Sequence, residues 1–301
     1  MIIDSAVFGV FVLPLLAAIL FAMAAVSLRL TAKHRIDVWR VSFVSNVVTA
    51  LAFQPLWFAC EGLPPFFLWW QPMLVAVLFV AGQILTLVSL TKGDISVAAP
   101  VLGLKLIFVP LFLALLGIAS VPSRIWVACL LSAVALMLLN YSEGTGNRAR
   151  ALFSAITAAM GAGAFAMFDV CVQLWSQAWN QGGFLPLTFL CSIGMSWVMI
   201  PMFESKLRSL PRHAWAPLAG AAIFFALQAM AIVGSVAFWG QAAAANVVYS
   251  SRGLWSLILI AVLGSWLGVP EKGLLPRVFA VRLTGACALI AAIVTLAFDR
   301  N

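Results

Sequence analysis

The sequence predicts an all-α integral membrane protein of ten transmembrane helices in two inverted five-helix repeats. Composition, the length of the apolar runs and the placement of basic residues predict it. The 301 residues are 64% hydrophobic and 9% charged, with a mean hydropathy of +1.12. Soluble domains carry about 25% charged residues and roughly half apolar ones, so a water-soluble fold has too little polar surface to cover this chain. The apolar runs are long enough for helices, which need about 20 residues to cross a bilayer. They are too continuous for barrel strands, which alternate over about ten residues. Lipid supplies no backbone hydrogen bonds, and a helix satisfies its own.

The predicted spans are 7–28, 39–60, 71–90, 95–117, 122–140, 151–177, 184–203, 215–238, 242–267 and 276–298. No basic region precedes the first, so it reads as a retained helix rather than a cleaved peptide. Leu63–Trp70 (LPPFFLWW) joins helices 2 and 3, and its prolines and aromatics suit a turn at headgroup level. Tyr141–Arg150 is hydrophilic and divides a first repeat, 1–145, from a second, 146–301. Five cysteines (Cys60, Cys129, Cys171, Cys191, Cys287) are scattered without metal spacing and read as small apolar helix residues.

The two halves share a register. Phe21-Ala22-Met23 with Val26 returns as Phe165-Ala166-Met167 with Val170, 144 positions later. Phe79, Ala81 and Gln83 return as Phe224, Ala226 and Gln228, 145 later. Gly93 and Lys105 return as Gly240 and Arg252, 147 later. Five helices per repeat is an odd number, so the second copy must be inverted in the membrane.

The charges agree. Of the 17 Lys and Arg, Lys105 and Arg252 fall within spans, and Arg124 and Arg300 fall on one side. The other thirteen lie on the opposite side, in the connections after helices 1, 3, 5, 7 and 9: Arg29, Lys33, Arg35, Arg40, Lys92, Arg148, Arg150, Lys206, Arg208, Arg212, Lys272, Arg277 and Arg282. Basic loops stay cytoplasmic, which predicts both termini outside the cytoplasm. The net charge of +8 is therefore a topology signal, and no nucleic-acid partner is expected.

Helices 3 to 5 carry a family likeness. Ala81–Leu90, then Gly93-Asp94-Ile95-Ser96-Val97-Ala98-Ala99-Pro100, then Leu113–Gly117 and Trp126–Leu139 place small residues, a helix 4 proline, a Leu/Gly end and a small-residue helix 5 in that order. In this order the chain resembles the drug/metabolite transporter superfamily, particularly its EamA-type branch. The resemblance implies ten helices in two inverted halves, multi-pass residence in a cell membrane (a bacterial inner membrane) and small-molecule transport. Two departures stand out. Ile118 follows Gly117 where the family usually has Glu, and family members usually keep both termini cytoplasmic.

Ala128-x-x-x-Ser132 in helix 5 and Gly285-x-x-Ala288-x-x-x-Ala292 in helix 10 offer close-packing faces. These fit intrachain packing first and a homodimer second. Pro100 and Pro110 each remove a backbone donor and bend or open helix 4.

Three ionisable side chains lie clearly within spans: Lys105, Asp169 and Arg252. Charge at that depth costs roughly 3 kcal/mol or more, so such groups face a cavity or a partner. Asn246, Tyr249, Arg252 and Ser256 recur every three to four residues on one face of helix 9. Ser42, Ser45, Asn46 and Thr49 form a similar stripe on helix 2, and Gln83, Thr86 and Gln228 add hydrogen-bonding groups. The expected substrate-binding set is Lys105, Arg252, Tyr249, Asn246, Asp169, Gln83 and Gln228. It leaves Asp169 as a counter-ion or a coupling group. Two cations against one carboxylate favour an organic anion. If one cation instead pairs with Asp169 and the other points at a carbonyl or snorkels, an amino acid or a hydrophobic drug fits. The paired basic residues look like those of the plastid triose-phosphate/phosphate translocator branch, although Lys105 follows Pro100 rather than preceding it.

These residues predict a transporter working by alternating access around a midplane site. A non-transporting or flippase subunit is the alternative. No H-E-x-x-H, G-x-G-D or D-D-x-x-D motif occurs, and no histidine lies in a span, so neither an enzyme nor a cofactor or metal is expected.

Overall fold

Helix starts are written in short polar side chains. Asp37 Oδ1 accepts from the Arg40 amide at 3.0 Å, Asp94 Oδ1 from the Ser96 amide at 3.0 Å, and Asn147 Oδ1 from the Arg150 amide at 3.1 Å. Each fills the N-cap role that orphan amides of a first turn require. The computed structural model describes residues 5–60, 62, 66–140, 147–179, 182–263 and 276–297, and these contain helices and no strand.

Seven helices among the described residues are long and apolar enough to cross a membrane: α1 (Ser5–Lys33), α2 (Val38–Ala59), α3 (Phe66–Thr91), α4 (Ile95–Leu115), α6 (Arg148–Trp175), α7 (Phe184–Met202) and α8 (Arg212–Trp239). Shorter apolar helices are α5 (Ser123–Leu139) and α10 (Pro276–Ala297). The remaining helix, α9, is broken into Ala242–Tyr249 and Arg252–Leu263. The boundaries follow the predicted runs to within a few residues. Lys272, Arg300 and most of Tyr141–Arg150 lie outside the described residues, as does Leu63–Pro65 of the headgroup-level turn. Large apolar side chains such as Leu51, Val134, Leu152, Ile156 and Trp197 point outward, an arrangement suited to lipid rather than water. The fold is thus that of a multi-pass, all-α membrane protein.

The helices pack in matched pairs. α1 lies on α8, and α3 on α6. α2 lies on α8, and α3 on α7. α1 touches α9, and α6 touches α4. α2 also meets α7, and α5 meets α10. In the last pair the small residues meet each other within the chain: a Cβ on Gly285 would lie 2.8 Å from the Ala135 carbonyl oxygen and 2.9 Å from Leu138 Cβ. Only glycine allows that approach. Early in α1 a π-turn spans Phe8–Val12, and the Gly9 carbonyl accepts from Ser235 Oγ on α8 at 2.6 Å.

At one end of the bundle, hydrogen bonds join α6 to its neighbours. Trp179 Nε1 donates to Gln71 Oε1 at 2.6 Å, Ser176 Oγ to the Ala237 carbonyl at 3.0 Å, and the Ala242 amide to Gln173 Oε1 at 2.9 Å. Trp179 is 1% exposed. Phe184 and the Phe53–Phe189 stack fill the layer below. The cavity described next opens at the other end.

Candidate functional site

Two broken helices build the site. In α4 the first piece, Ile95–Val101, contains Pro100 and passes through a 3₁₀ turn, Leu102–Leu104, before the helix resumes at Lys105. The missing proline amide and the tighter turn make the break. In α9 the break contains no proline. Ser250 Oγ donates back to the Val247 carbonyl at 2.6 Å, and Asn246 Nδ2 to the Ala242 carbonyl at 2.8 Å. Such back-bonding competes with the helical ladder and bends it. The helix resumes at Arg252. Lys105 and Arg252 are therefore the first residues of the two second pieces, which is the register the sequence offset implies.

Each cation sits over a phenylalanine from the other half of the chain. Lys105 Nζ lies 5.9 Å from the centre of the Phe165 ring on α6. The Arg252 guanidinium lies 4.8 Å from the Phe21 ring on α1 and 4.5 Å from the Tyr249 ring. Phe21 and Phe165 are 144 positions apart, the offset of the sequence signature. A desolvated cation over an aromatic face gains about 2 kcal/mol, which offsets only part of the cost of burial.

The likeness stops at the carboxylate. Asp169, one turn past Phe165 and 4% exposed, accepts from Lys105 Nζ at 2.7 Å and from Asn246 Nδ2 at 2.6 Å on the same oxygen. It ties α4, α6 and α9 together. The residue 144 positions before Asp169 is Ala25. Arg252 accordingly lacks the carboxylate that Lys105 has, and among the described residues no Asp or Glu forms an ion pair with it.

The remaining expected residues divide. Tyr249 Oη donates to Gln228 Oε1 at 2.6 Å, so these two stand beside Arg252 as a hydrogen-bonded pair. Gln83 turns elsewhere: its amide and that of Asn46 exchange two hydrogen bonds of 2.8 Å, and Asn46 also donates to Ser196 Oγ at 2.7 Å. The helix 2 stripe thus joins α2 to α3 and α7. Arg252 lies beside two aromatic rings, Phe21 and Tyr249, which stand edge to face at 85°. His34 lies just past α1 and His213 in the first turn of α8, with ring centroids 5.1 Å apart.

Arg252 lines a cavity of about 520 Å³ bounded by the end of α1, the end of α3, the first piece of α4, the end of α5, the second piece of α9 and the start of α10. Phe21, Arg252 and Ser256 lie deepest along their helices, and Arg29, Asn140 and Arg282 lie toward the helix ends that carry the basic connections. The walls between are aliphatic: Leu90, Ile95, Leu102, Leu136, Leu139 and Leu257. Among the described residues, three arginines and no acidic side chain line it. Ser256 Oγ, one turn beyond Arg252, is buried and has no hydrogen-bond partner. The sequence had marked Phe21 only as a repeat signature and Arg29 and Arg282 only as topology signals. The 144–147 register, applied to Asp169 and Ala25, is the signal that finds the unpaired cation.

No protein-family model matches the chain, and no curated protein matches it. A solved structure described only as "Crystal structure of protein" is similar to it at a TM-score of 0.62 and 15% identity, over 96% of this chain and 98% of its own. At that identity the likeness is one of fold alone.

Proposed function

We propose that the protein is a small-molecule transporter that works by alternating access, with an organic-anion site near the membrane midplane. One observation carries this reading: Arg252 lines a 520 Å³ cavity, beside two aromatic rings and, among the described residues, in no ion pair with a carboxylate. A cation at that depth is costly unless an opposite charge reaches it. A carboxylate or phosphate entering the cavity supplies that charge, and arginine presents a planar fork to either group. Tyr249 and Gln228 hold the guanidinium in place, and the Lys105–Asp169–Asn246 cluster braces the two broken helices around it.

The proposal includes ten spans in two inverted five-helix repeats, 1–145 and 146–301. The matched packing supports this, because exchanging α1 with α6, α2 with α7, α3 with α8, α4 with α9 and α5 with α10 turns each pair named above into another or into itself. The cavity opens at the end where the basic connections gather, hence toward the cytoplasm, while the hydrogen-bonded end around Trp179 is closed. That is one of the two states alternating access requires. The family expectation of a drug/metabolite transporter in a bacterial inner membrane is compatible with this arrangement. So is a non-enzymatic role, since Asp169 is committed to Lys105 and Asn246.

The test is flux of a labelled metabolite panel into proteoliposomes, beside a reporter fused after Asn301. Saturable uptake of organic anions, with the reporter active only outside the cytoplasm, is expected. Uptake of cations or sugars but of no anion contradicts the site, and a reporter active only in the cytoplasm contradicts the orientation.

A further inference from the structure

We infer that the substrate is an amphipathic anion: one carboxylate or phosphate seated on Arg252, borne on an aliphatic or aryl body that fills the cavity. The inference rests on the proposed anion site and adds the chemistry of its walls. At the deep end the Arg252 guanidinium offers a charged planar fork, enough for one carboxylate or phosphate. Above it the lining turns apolar, with Leu102, Leu136, Leu139 and Leu257 facing the space. The next cation on α1 is Arg29, eight residues past Phe21, about 12 Å along a helix axis. Between Arg252 and the mouth, where Arg29, Asn140 and Arg282 lie, the hydroxyls and extra charges of a sugar phosphate or a tricarboxylate meet mainly aliphatic walls, and buried polar groups without partners are costly. A hydrocarbon chain or aromatic ring gains from the same walls, by about 0.8 kcal/mol per methylene buried, or about fourfold in affinity.

The glycines strengthen the case. Gly103 and Gly253 both line the cavity and pack on α5: a Cβ on Gly103 would lie 3.4 Å from Leu136 Cβ, and one on Gly253 3.3 Å from Leu136 Cδ2. The 3₁₀ turn of α4 and the second piece of α9 thus lie close against an aliphatic wall, so the width of the chamber is set by apolar contact.

The experiment is equilibrium binding to the full chain in lipid nanodiscs, using linear carboxylates from butyrate to dodecanoate, with citrate and inorganic phosphate as hydrophilic anions. Affinity is expected to rise about fourfold per methylene and then level off where the chamber is full. Arg252→Gln is expected to lose the whole series. Ala99→Phe, which intrudes on the wall, is expected to move the plateau to shorter chains. Three outcomes overturn the inference: affinity flat with chain length, citrate or phosphate binding more tightly than every linear carboxylate, or a chain-length rise that persists undiminished in Arg252→Gln and so reflects partition into lipid. Binding with the expected pattern but no flux contradicts the transport reading and leaves this inference standing. Tight binding of hydrophilic anions with flux does the reverse.

Discussion

The Arg252 guanidinium lies 4.8 Å from the centre of the Phe21 ring, and Lys105 holds the corresponding place over Phe165 at 5.9 Å. The two halves of the chain therefore build the same cation–aromatic unit twice, each cation from one half resting on a phenylalanine of the other. They differ in what lies one turn past the ring: Asp169 after Phe165, Ala25 after Phe21. Lys105 forms an internal ion pair, and among the described residues Arg252 forms none.

Ala25→Asp is the variant that follows most directly. It places a carboxylate where the second half already has one. The expected result is an internal pair with Arg252 and loss of anion binding by at least about thirtyfold, the equivalent of roughly 2 kcal/mol for a charged hydrogen bond. Thermal stability in detergent is expected to hold or rise. Equilibrium binding beside a melting curve checks both. Unchanged anion affinity in a folded Ala25→Asp protein means that Arg252 does not hold the anion.

The Lys105–Asp169 pair is predicted to be structural. Lys105→Met alone strands a buried carboxylate, and Asp169→Leu alone strands a buried ammonium. Losing one partner of a buried pair costs about 3–5 kcal/mol. Both single variants are expected to melt well below the wild type. The double variant Lys105→Met/Asp169→Leu, with no charge left unpaired, is expected to regain most of the loss. A double variant no better than the singles contradicts the pairing.

Gln83→Leu separates packing from binding. The amide exchange with Asn46 is an interhelical bond between α2 and α3, and such bonds contribute about 0.6 kcal/mol on average in membranes. A small drop in melting temperature with undiminished anion affinity is expected. A large fall in affinity at unchanged stability would return Gln83 to the substrate site.

Much of this was legible in the sequence, and the reasons divide cleanly. Helix positions followed from apolar run length, which the bilayer fixes. The 147-residue offset between Lys105 and Arg252 was legible in the sequence, and each opens the second piece of a broken helix. The apolar contact of Gly285 with α5 was readable as a small-residue face. The choice of partner for Asp169 was not readable, because Lys105 and Arg252 are equivalent by register and only the tertiary crossing of α4 and α6 brings one of them to 2.7 Å. The helix 2 stripe left a related choice open, between a cavity and interhelical hydrogen bonds. Asn46 has the same spacing whether it faces a cavity or α3, and the amide of Gln83 decides. The break in α9 was also hidden, as serine and asparagine back-bonding leaves no proline to mark it.

Close packing of α5 on α10 gives a further prediction. Gly285→Val must push against the Ala135 carbonyl and Leu138 Cβ, which already stand within 2.9 Å of a Cβ position. Overpacking of this kind costs about 1–3 kcal/mol. Reduced melting temperature and looser crosslinking between cysteines introduced on the two helices are expected. A variant as stable as the wild type contradicts the intrachain contact.

The central claim is that Arg252 is the group that holds a transported anion, and counterflow in proteoliposomes tests it most directly. Vesicles loaded with unlabelled octanoate would be assayed for entry of the labelled anion through wild-type, Arg252→Gln and Arg252→Lys proteins shown to be folded. The account predicts rapid counterflow by the wild type, none by Arg252→Gln, and partial recovery by Arg252→Lys, whose ammonium keeps the charge but not the planar fork. Counterflow by folded Arg252→Gln at the wild-type rate would contradict it.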